Sequence, residues 1–447
     1  MNNIPRIIVL GLDGSPLKLI KNYTEKGLMP NLKKISEQGS IHQMDTVLPE
    51  VSAAAWSSFM TGKNPAKTGM FGFFDMMPGS YTNVFTNFLH LKQPPIWNII
   101  HKELRKPCVS INMPSTFPAK PMNGVLISGF VAPDINKAVF PQSLLPLLKE
   151  MRYKIDLDVQ KIKENNEMLM SEAYETLDLR IRMVDILWGK VDWQLFSCVI
   201  TGTDRLQHFI MDAFDNPYHP CNKQFEEYYR RIDFFIGTVY DRLKPGDVLI
   251  LLSDHGFEVT KYEVYLNVLF RMKGWMEDIG FEKKCFEKIT EATKVFNLDP
   301  ARIYINRKPR YPNGNEMSDE EYNNLLNEIK VELDNLKSPE GDKVVKHIYT
   351  KEQIYSGKFI QYAPDLTLVP NEGYSFKGAT KPDTVFLRPV RHYGTHNAHD
   401  AFLACNYKMN PESKPNIMDI TPTMLRLLNI DIEKYDFDGK PIQIDMR

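Results

Sequence analysis

The sequence predicts an α/β protein: a mostly parallel central sheet flanked by helices on both faces, with an inserted cap. Three observations predict it. Short apolar runs of strand length alternate with longer segments of helical spacing, the pattern of successive strand–helix–strand units. Several of those runs stop at turn residues or at charged side chains, as strands do where they leave a sheet. One long stretch, from about residue 260 to 341, breaks the alternation with a Lys-, Glu- and Asn-rich composition. A chain of 447 residues is long enough for a large α/β core that carries an insertion.

Ile7, Ile8, Val9, Leu10 and Leu12 form the first strand, which ends at Asp13-Gly14. A helix is predicted around Met29-Pro30-Asn31-Leu32, with Pro30 suited to its first turn. Residues 52–60 form a second helix nucleus, closed by Thr61-Gly62, and residues 94–104 a third. Strands follow at 108–111 and 125–128. Apolar spacing over 172–187 suits an amphipathic helix leading into a strand at 193–200. A helix over 225–243 precedes the strand at 248–251, which Gly256 stops. Within the 260–341 insertion, Pro309, Pro312 and Gly314 mark a loop and helical signal returns at 319–336. The insertion reads as a cap or lid over a core made of 1–259 and 342–447. Late strands fall at 366–369 and 401–404. A closing helix spans 419–428, with Pro422 in its first turn.

Lys and Arg total 55 against 56 Asp and Glu, a formal charge of −1, so bulk charge gives no support for nucleic-acid binding. An anionic ligand must be held by a local site. Cys108, Cys198, Cys221, Cys285 and Cys405 are odd in number, widely spaced and contain no CxxC, which argues against a disulfide framework or a thiolate zinc site and fits a reducing compartment. The residues from Met1 to Arg6 precede the first strand without an apolar leader, and no apolar run is long enough to span a bilayer. The expectation is a cytoplasmic protein without a membrane partner. Nothing in the sequence indicates its oligomeric state.

The chemistry-bearing residues sit at strand ends. Asp254-His255 directly follow the run Val248-Leu249-Ile250-Leu251-Leu252-Ser253, at the edge where open α/β sheets bind ligands. Asp13 ends the first strand, where Asp-Gly is also an ordinary turn. Ser52 opens a helix. That place suits an N-cap and equally a nucleophile, whose alkoxide the free amides would stabilise. Ser57, Ser58 and Thr61 are rivals deeper in the helix. Asp204 and His208 follow a strand at i, i+4 spacing, one helix face, able to share a metal. His392, His396 and His399 place three of the ten histidines within eight residues. Together these residues suit two divalent cations clamping a phosphoryl group. One would lie among Asp13, Asp254 and His255 with Ser52. The other would lie among Asp204, His208 and one late histidine. Carboxylates and imidazoles without thiolate favour Zn or Mn.

The ordered set of motifs resembles the alkaline phosphatase superfamily, in its type I phosphodiesterase/nucleotide pyrophosphatase-like branch. It is similar in particular to the predicted phosphohydrolase or phosphomutase group. The matching segments are Gly11-Leu12-Asp13-Gly14, Ser52 onward with Thr61-Gly62-Lys63-Asn64-Pro65, Asn123 to Phe130, and Thr203-Asp204-Arg205-Leu206-Gln207-His208-Phe209. They continue with Ser253-Asp254-His255-Gly256-Phe257, Ala363-Pro364-Asp365-Leu366, Gly394-Thr395-His396 and Asp419-Ile420-Thr421-Pro422-Thr423. The resemblance implies an alkaline phosphatase-like fold and Ser52 as nucleophile. It implies one metal site at Asp13, Asp254 and His255 and another at Asp204, His208 and His396. Two positions depart from the pattern: Phe73 stands where nucleotide pyrophosphatases carry a phosphoryl-binding Asn, and Asn397 where many relatives carry Arg. Ser52-Ala53-Ala54-Ala55-Trp56 also lacks the Cys/Ser-x-Pro-x-Arg context of sulfatases.

The expected function is therefore metal-dependent hydrolysis of a small-molecule phosphate ester, diester or monoester, through a phosphoseryl intermediate on Ser52. The alternatives are a phosphomutase that returns the phosphoryl group to its substrate, and a non-catalytic binding protein that retains the fold.

Overall fold

The computed structural model of the protein describes residues 4–158, 162 and 165–446. Residues 1–3, part of the Met1–Arg6 segment that precedes the first strand, lie outside the described residues. An eight-stranded sheet forms the centre. Its order is Ser40–Met44, Ala401–Cys405, Val248–Leu252, Ile7–Leu12, Leu195–Ile200, Cys108–Met113, Gly124–Ser128 and Val139–Phe140. The five strands from Val248–Leu252 to Gly124–Ser128 run parallel, while Ala401–Cys405, Ser40–Met44 and Val139–Phe140 pair antiparallel at the two sides.

Continuous apolar runs form these strands because both faces of the sheet are covered. In the first strand, Ile8, Leu10 and Leu12 pack into one cluster and Ile7 and Val9 into the opposite one. The first cluster takes helices Leu17–Glu25, Pro30–Gln38, Asn166–Trp188 and Asn222–Tyr240, and the second takes Ser52–Thr61, Ile96–Leu104 and Ile420–Leu427. Several caps legible in the sequence are in place. Pro30 starts its helix, and Gly62 ends Ser52–Thr61 at φ 66°, a left-handed conformation suited to glycine. The helix expected over 172–187 begins earlier, at Asn166, because the Asn165 side chain accepts from the Glu167 amide at 2.7 Å and caps it.

The stretch after residue 260 builds a second, smaller lobe. An antiparallel sheet in the order Val295–Leu298, Arg302–Ile305, Leu366–Pro370, Val345–Thr350 packs with helix Asp319–Asp334, which opens on a Ser318/Glu321 capping box. A three-stranded sheet joins Tyr374–Lys377, Tyr262–Tyr265 and Phe386–Leu387. The apolar cluster of this lobe runs from Tyr262 to Val385 and takes in Tyr81. Its strands therefore come from both sides of residue 341. The run at 366–369 is a strand, and it pairs here rather than in the main sheet, because its partners supply the apolar face that buries it. Among the described residues no helix is long and apolar enough to cross a membrane.

Candidate active site

Strand register puts the chemistry at one edge. Leu12 lies beside Ile200 and Gly11 beside Leu252, so three neighbouring parallel strands end together. The chain leaves them at Asp13, at the helix Gly202–Ile210 that carries Asp204 and His208, and at Asp254-His255. Gly256–Val259 then turns back and pairs antiparallel with Gly394–Asn397, matching Phe257 with His396. Gly394, a residue that favours a loop, thus opens a short strand. This pairing lays the His396 ring over His255, with centroids 3.8 Å apart.

Asp204 lies at the middle of the cluster. Its Oδ1 is 3.4 Å from Nε2 of both His208 and His396 and 4.0 Å from Nε2 of His255. Asp204, His208 and His396 form one group able to hold a metal ion; Asp13, Asp204 and His255 form another. Asp254 sits against the second group: its Oδ2 is 3.4 Å from His255 Nε2, and its Oδ1 accepts from the Gly14 amide at 3.0 Å. The sequence reading assigned Asp204 to the His208 side; its carboxylate oxygen also faces the Asp13–His255 group.

The donor chemistry of this cluster fits cations. Asp204 Oδ1 and Asp254 Oδ2 are buried and accept no hydrogen bond from the protein. Such oxygens are costly to bury without a partner. His396 Nδ1 donates to the Glu50 carbonyl at 2.7 Å and His255 Nδ1 to the Gly256 carbonyl at 3.0 Å. A carbonyl only accepts, so in each neutral ring Nε2 carries the lone pair and turns it into the cluster. His396 Nε2 and His208 Nε2 lie 3.1 Å apart.

Electrostatics follow from burial and crowding. Burial, then the charges of Asp254 and Asp204, push the Asp13 carboxyl well above its ordinary value. Burial raises Asp254 to about 6. Burial would raise Asp204 too, but His208, His396 and Arg205 outweigh it and hold this carboxyl below the ordinary range. Burial lowers His255 to about 3 and takes His208 well below its usual value, which keeps both rings neutral and able to bind metal. His396 is raised despite burial, through its contact with Asp204.

Ser52 reaches the same cluster. Val51 occupies the N-cap position and Ser52 is the first helical residue, with no capping bond from its side chain. Its buried Oγ is instead 3.3 Å from Asp13 Oδ1 and 3.2 Å from His255 Nε2. The rivals lie elsewhere. Ser57 and Ser58 are buried along the helix, and Thr61 Oγ1 donates back to the Ser57 carbonyl. Of the late histidines, His399 pairs with Asp45 at 2.9 Å, and exposed His392 packs on Phe209 and edge-on to His208 at 5.8 Å between centroids; neither belongs to the groups able to hold a metal ion.

Several supporting residues escaped the sequence reading. Trp56 Nε1 donates to Asp13 Oδ2 at 3.2 Å; its position four residues after Ser52, on the same helix face, was the available signal. Gly11 makes room for that ring, since a Cβ there would lie 2.5 Å from it. Thr203 Oγ1 donates to the Asp13 carbonyl at 2.6 Å. Arg205 is clamped by Asp156 and lies 3.4 Å from Asp204 Oδ2. No local pattern marks Asp156 or Glu50 as neighbours of this site. A cavity of about 380 Å³ opens beside the cluster toward the smaller lobe, lined by Glu50, Phe73, Tyr374, Lys377, His208 and His396 among others.

The family model of type I phosphodiesterase/nucleotide pyrophosphatase matches residues 7–401. No curated protein sequence matches the chain significantly. Among solved structures, the fold is similar to phosphonoacetate hydrolase from Sinorhizobium meliloti in complex with phosphonoacetate, with TM-score 0.65 and 15% identity over 95% of this chain and 96% of that one. It is similar to the murine ectonucleotide pyrophosphatase/phosphodiesterase 5, an inactive variant in complex with AMP, with TM-score 0.59 and 13% identity over 98% and 97%. It is also similar to a mutant of the alkaline phosphatase PafA, with TM-score 0.58 and 14% identity over 98% and 99%. At these identities the likenesses establish the fold.

Proposed function

The chain belongs to the type I phosphodiesterase/nucleotide pyrophosphatase family of the alkaline phosphatase superfamily and is a phosphoric ester hydrolase; we propose that it is a metal-dependent one acting through a phosphoseryl intermediate on Ser52. The observation that carries this reading is the convergence of Ser52, Asp13, Asp254, His255, Asp204, His208 and His396 at one sheet edge, with two buried carboxylate oxygens unpartnered. Asp13, Asp254, His255 and Ser52 would hold one divalent ion, and Asp204, His208 and His396 the other. Asp204 Oδ1 stands between them. Zn or Mn suits the mixed oxygen and nitrogen donors. When bound, the ions supply positive charge that favours the serine alkoxide and the phosphoryl oxygens.

The remaining steps belong to the chain. Ser52 Oγ forms a bond to phosphorus as the alcohol oxygen leaves on the opposite side. The positive end of the helix that Ser52 opens would favour the developing charge, although the Ala54 amide already donates to the Val51 carbonyl at 3.0 Å. Trp56 and the Thr203 hydroxyl fix Asp13, while the Glu50 and Gly256 carbonyls fix the ring nitrogens of His396 and His255. Water then cleaves the phosphoserine. The lobe built around 260–341 caps the cavity and selects the alcohol part of a small-molecule ester.

The test is hydrolysis of bis(p-nitrophenyl) phosphate and p-nitrophenyl phosphate by purified protein. Dialysis against a chelator abolishes turnover, and Zn²⁺ or Mn²⁺ restores it. Undiminished activity in metal-free protein overturns the proposal.

A further inference from the structure

Among the described residues, four carboxylates bury an oxygen that accepts no hydrogen bond: Asp204, Asp254, Asp212 and Glu50. Asp204 and Asp254 face the proposed ions. The Asp212 side chain is about one-third exposed and lies 3.9 Å from His219. Glu50 has no such account. It is 4% exposed and stands two residues before the nucleophile, lining the cavity of about 380 Å³ and a second of about 290 Å³ that takes in Glu258 and His399. Its backbone is committed to His396, but its side-chain Oε2 is without a partner. A buried acceptor in that state is costly until a donor arrives. The larger cavity is where the alcohol portion of an ester would sit.

The rest of the cavity says what kind of donor. Lys377 and Arg302 line it along with Glu50 and Asp299, so the lining charges balance and suit a neutral hydroxyl. Phe73, Phe74, Tyr374 and Phe376 give the same cavity an aromatic wall. Aromatic faces pack well against the C–H face of a saturated ring, while a few placed polar groups fix its orientation.

We propose that Glu50 is a specificity-determining residue whose carboxylate accepts hydrogen bonds from the ring hydroxyls of a cyclic polyol phosphate, an ester of a hexose or an inositol. The inference rests on the phosphohydrolase reading of the same site. The ring lies against the aromatic wall with its phosphoryl group at Ser52. A substrate of equal size without hydroxyls leaves Glu50 unpaired and is rejected for that reason.

Calorimetric binding to the zinc-loaded protein tests this, with Ser52→Ala in every sample so that the esters are not hydrolysed during titration; the sample that keeps Glu50 serves as the wild type. The probes are glucose 1-phosphate, myo-inositol 1-phosphate and cyclohexyl phosphate, which share a six-membered ring and a phosphate and differ in hydroxyls. The wild type binds one of the two polyol esters at least about tenfold more tightly than cyclohexyl phosphate, the factor expected from one buried hydrogen bond. Which polyol shows the larger preference separates the hexose from the inositol source. Glu50→Leu brings the preference close to unity, and Glu50→Gln, which loses the charge and one acceptor, lowers it. If the leucine variant does not fold, the glutamine variant decides. Equal binding of all three esters by the wild type overturns the inference, as does a preference unchanged in the folded variants. Failure of the phosphohydrolase reading gives a different result, in which none of the three esters binds.

Discussion

Ser52 is the side chain on which the proposed chemistry turns, and its surroundings separate it from the other hydroxyls of its helix. It is buried with its oxygen between Asp13 and His255, and it is free of capping duty. Ser52→Ala is expected to reduce turnover by roughly 10³-fold or more while the protein still folds and binds metal. Steady-state rates and metal content of the purified variant check this, and near-wild-type turnover would remove Ser52 from the mechanism. The late histidines give a second residue-level prediction. His396 contacts Asp204 and His208, whereas His399 pairs with Asp45 away from the cluster. His396→Ala is expected to lose about one bound ion per chain, as when one half of a two-metal centre is broken, and His399→Ala to keep both. Elemental analysis of the two variants decides; the reverse pattern would move the ligand to His399. Position 396 was separable from its neighbours in the sequence only through the Gly394-Thr395-His396 motif. Local spacing left all three histidines open, because a ring's direction depends on the strand pairing that carries it.

At the scale of elements, the first strand and the nucleophile helix are fitted to each other by one missing side chain. Gly11 is the next-to-last residue of its strand, and a Cβ there would come within 2.5 Å of the Trp56 ring and 3.2 Å of Val199. Trp56 fills that space and holds Asp13 by its indole N–H. Gly11→Ala is expected to destabilise the fold by about 1–3 kcal/mol, the cost of overpacking a close-packed core. It should also weaken metal binding, because a displaced Trp56 releases Asp13. Chemical denaturation together with metal titration checks both effects; a variant with wild-type stability and metal affinity would show that the contact relaxes without consequence. The strands themselves were legible as apolar runs, and two helix starts as Pro30 and Ser52 followed by apolar spacing, whereas the start at Asn166 was not. The Gly11–Trp56 contact was not, since the two residues are brought together only by the packing of a helix on one face of the sheet.

The whole molecule joins two lobes at the site, and Glu258 lies at that junction. It stands in the hairpin beside the strand of His396, accepting from the Gly373 amide at 2.8 Å and from Asn397. Burial raises its carboxyl to about 7 from an ordinary value of 4.5. Between those two values the unfolded chain releases the proton and the folded chain keeps it, so stability falls as pH rises through this window and levels off above it. The wild type is expected to lose roughly 3 kcal/mol relative to Glu258→Gln from pH 4.5 to 7.5. Denaturant melts of both proteins across that range measure the difference, and parallel curves would show that Glu258 ionises alike in the two states.

The sequence by itself determined the elements and the chemical inventory. Unbroken apolar runs specify strands covered on both faces, 3.6-residue spacing specifies the helices, and Asp, His and Ser at the ends of those runs mark one edge of a sheet. Tertiary structure decided what long-range pairing alone can decide. It placed Leu366–Pro370 in the smaller sheet, folded Gly394–Asn397 onto Gly256–Val259, turned Asp204 Oδ1 toward both metal groups, and brought Glu50 to the cavity wall. The physical reason is the range of the information. Periodicity and capping are written within about ten residues of a position, whereas partner choice between segments depends on which apolar faces remain to be covered once the rest of the chain has packed.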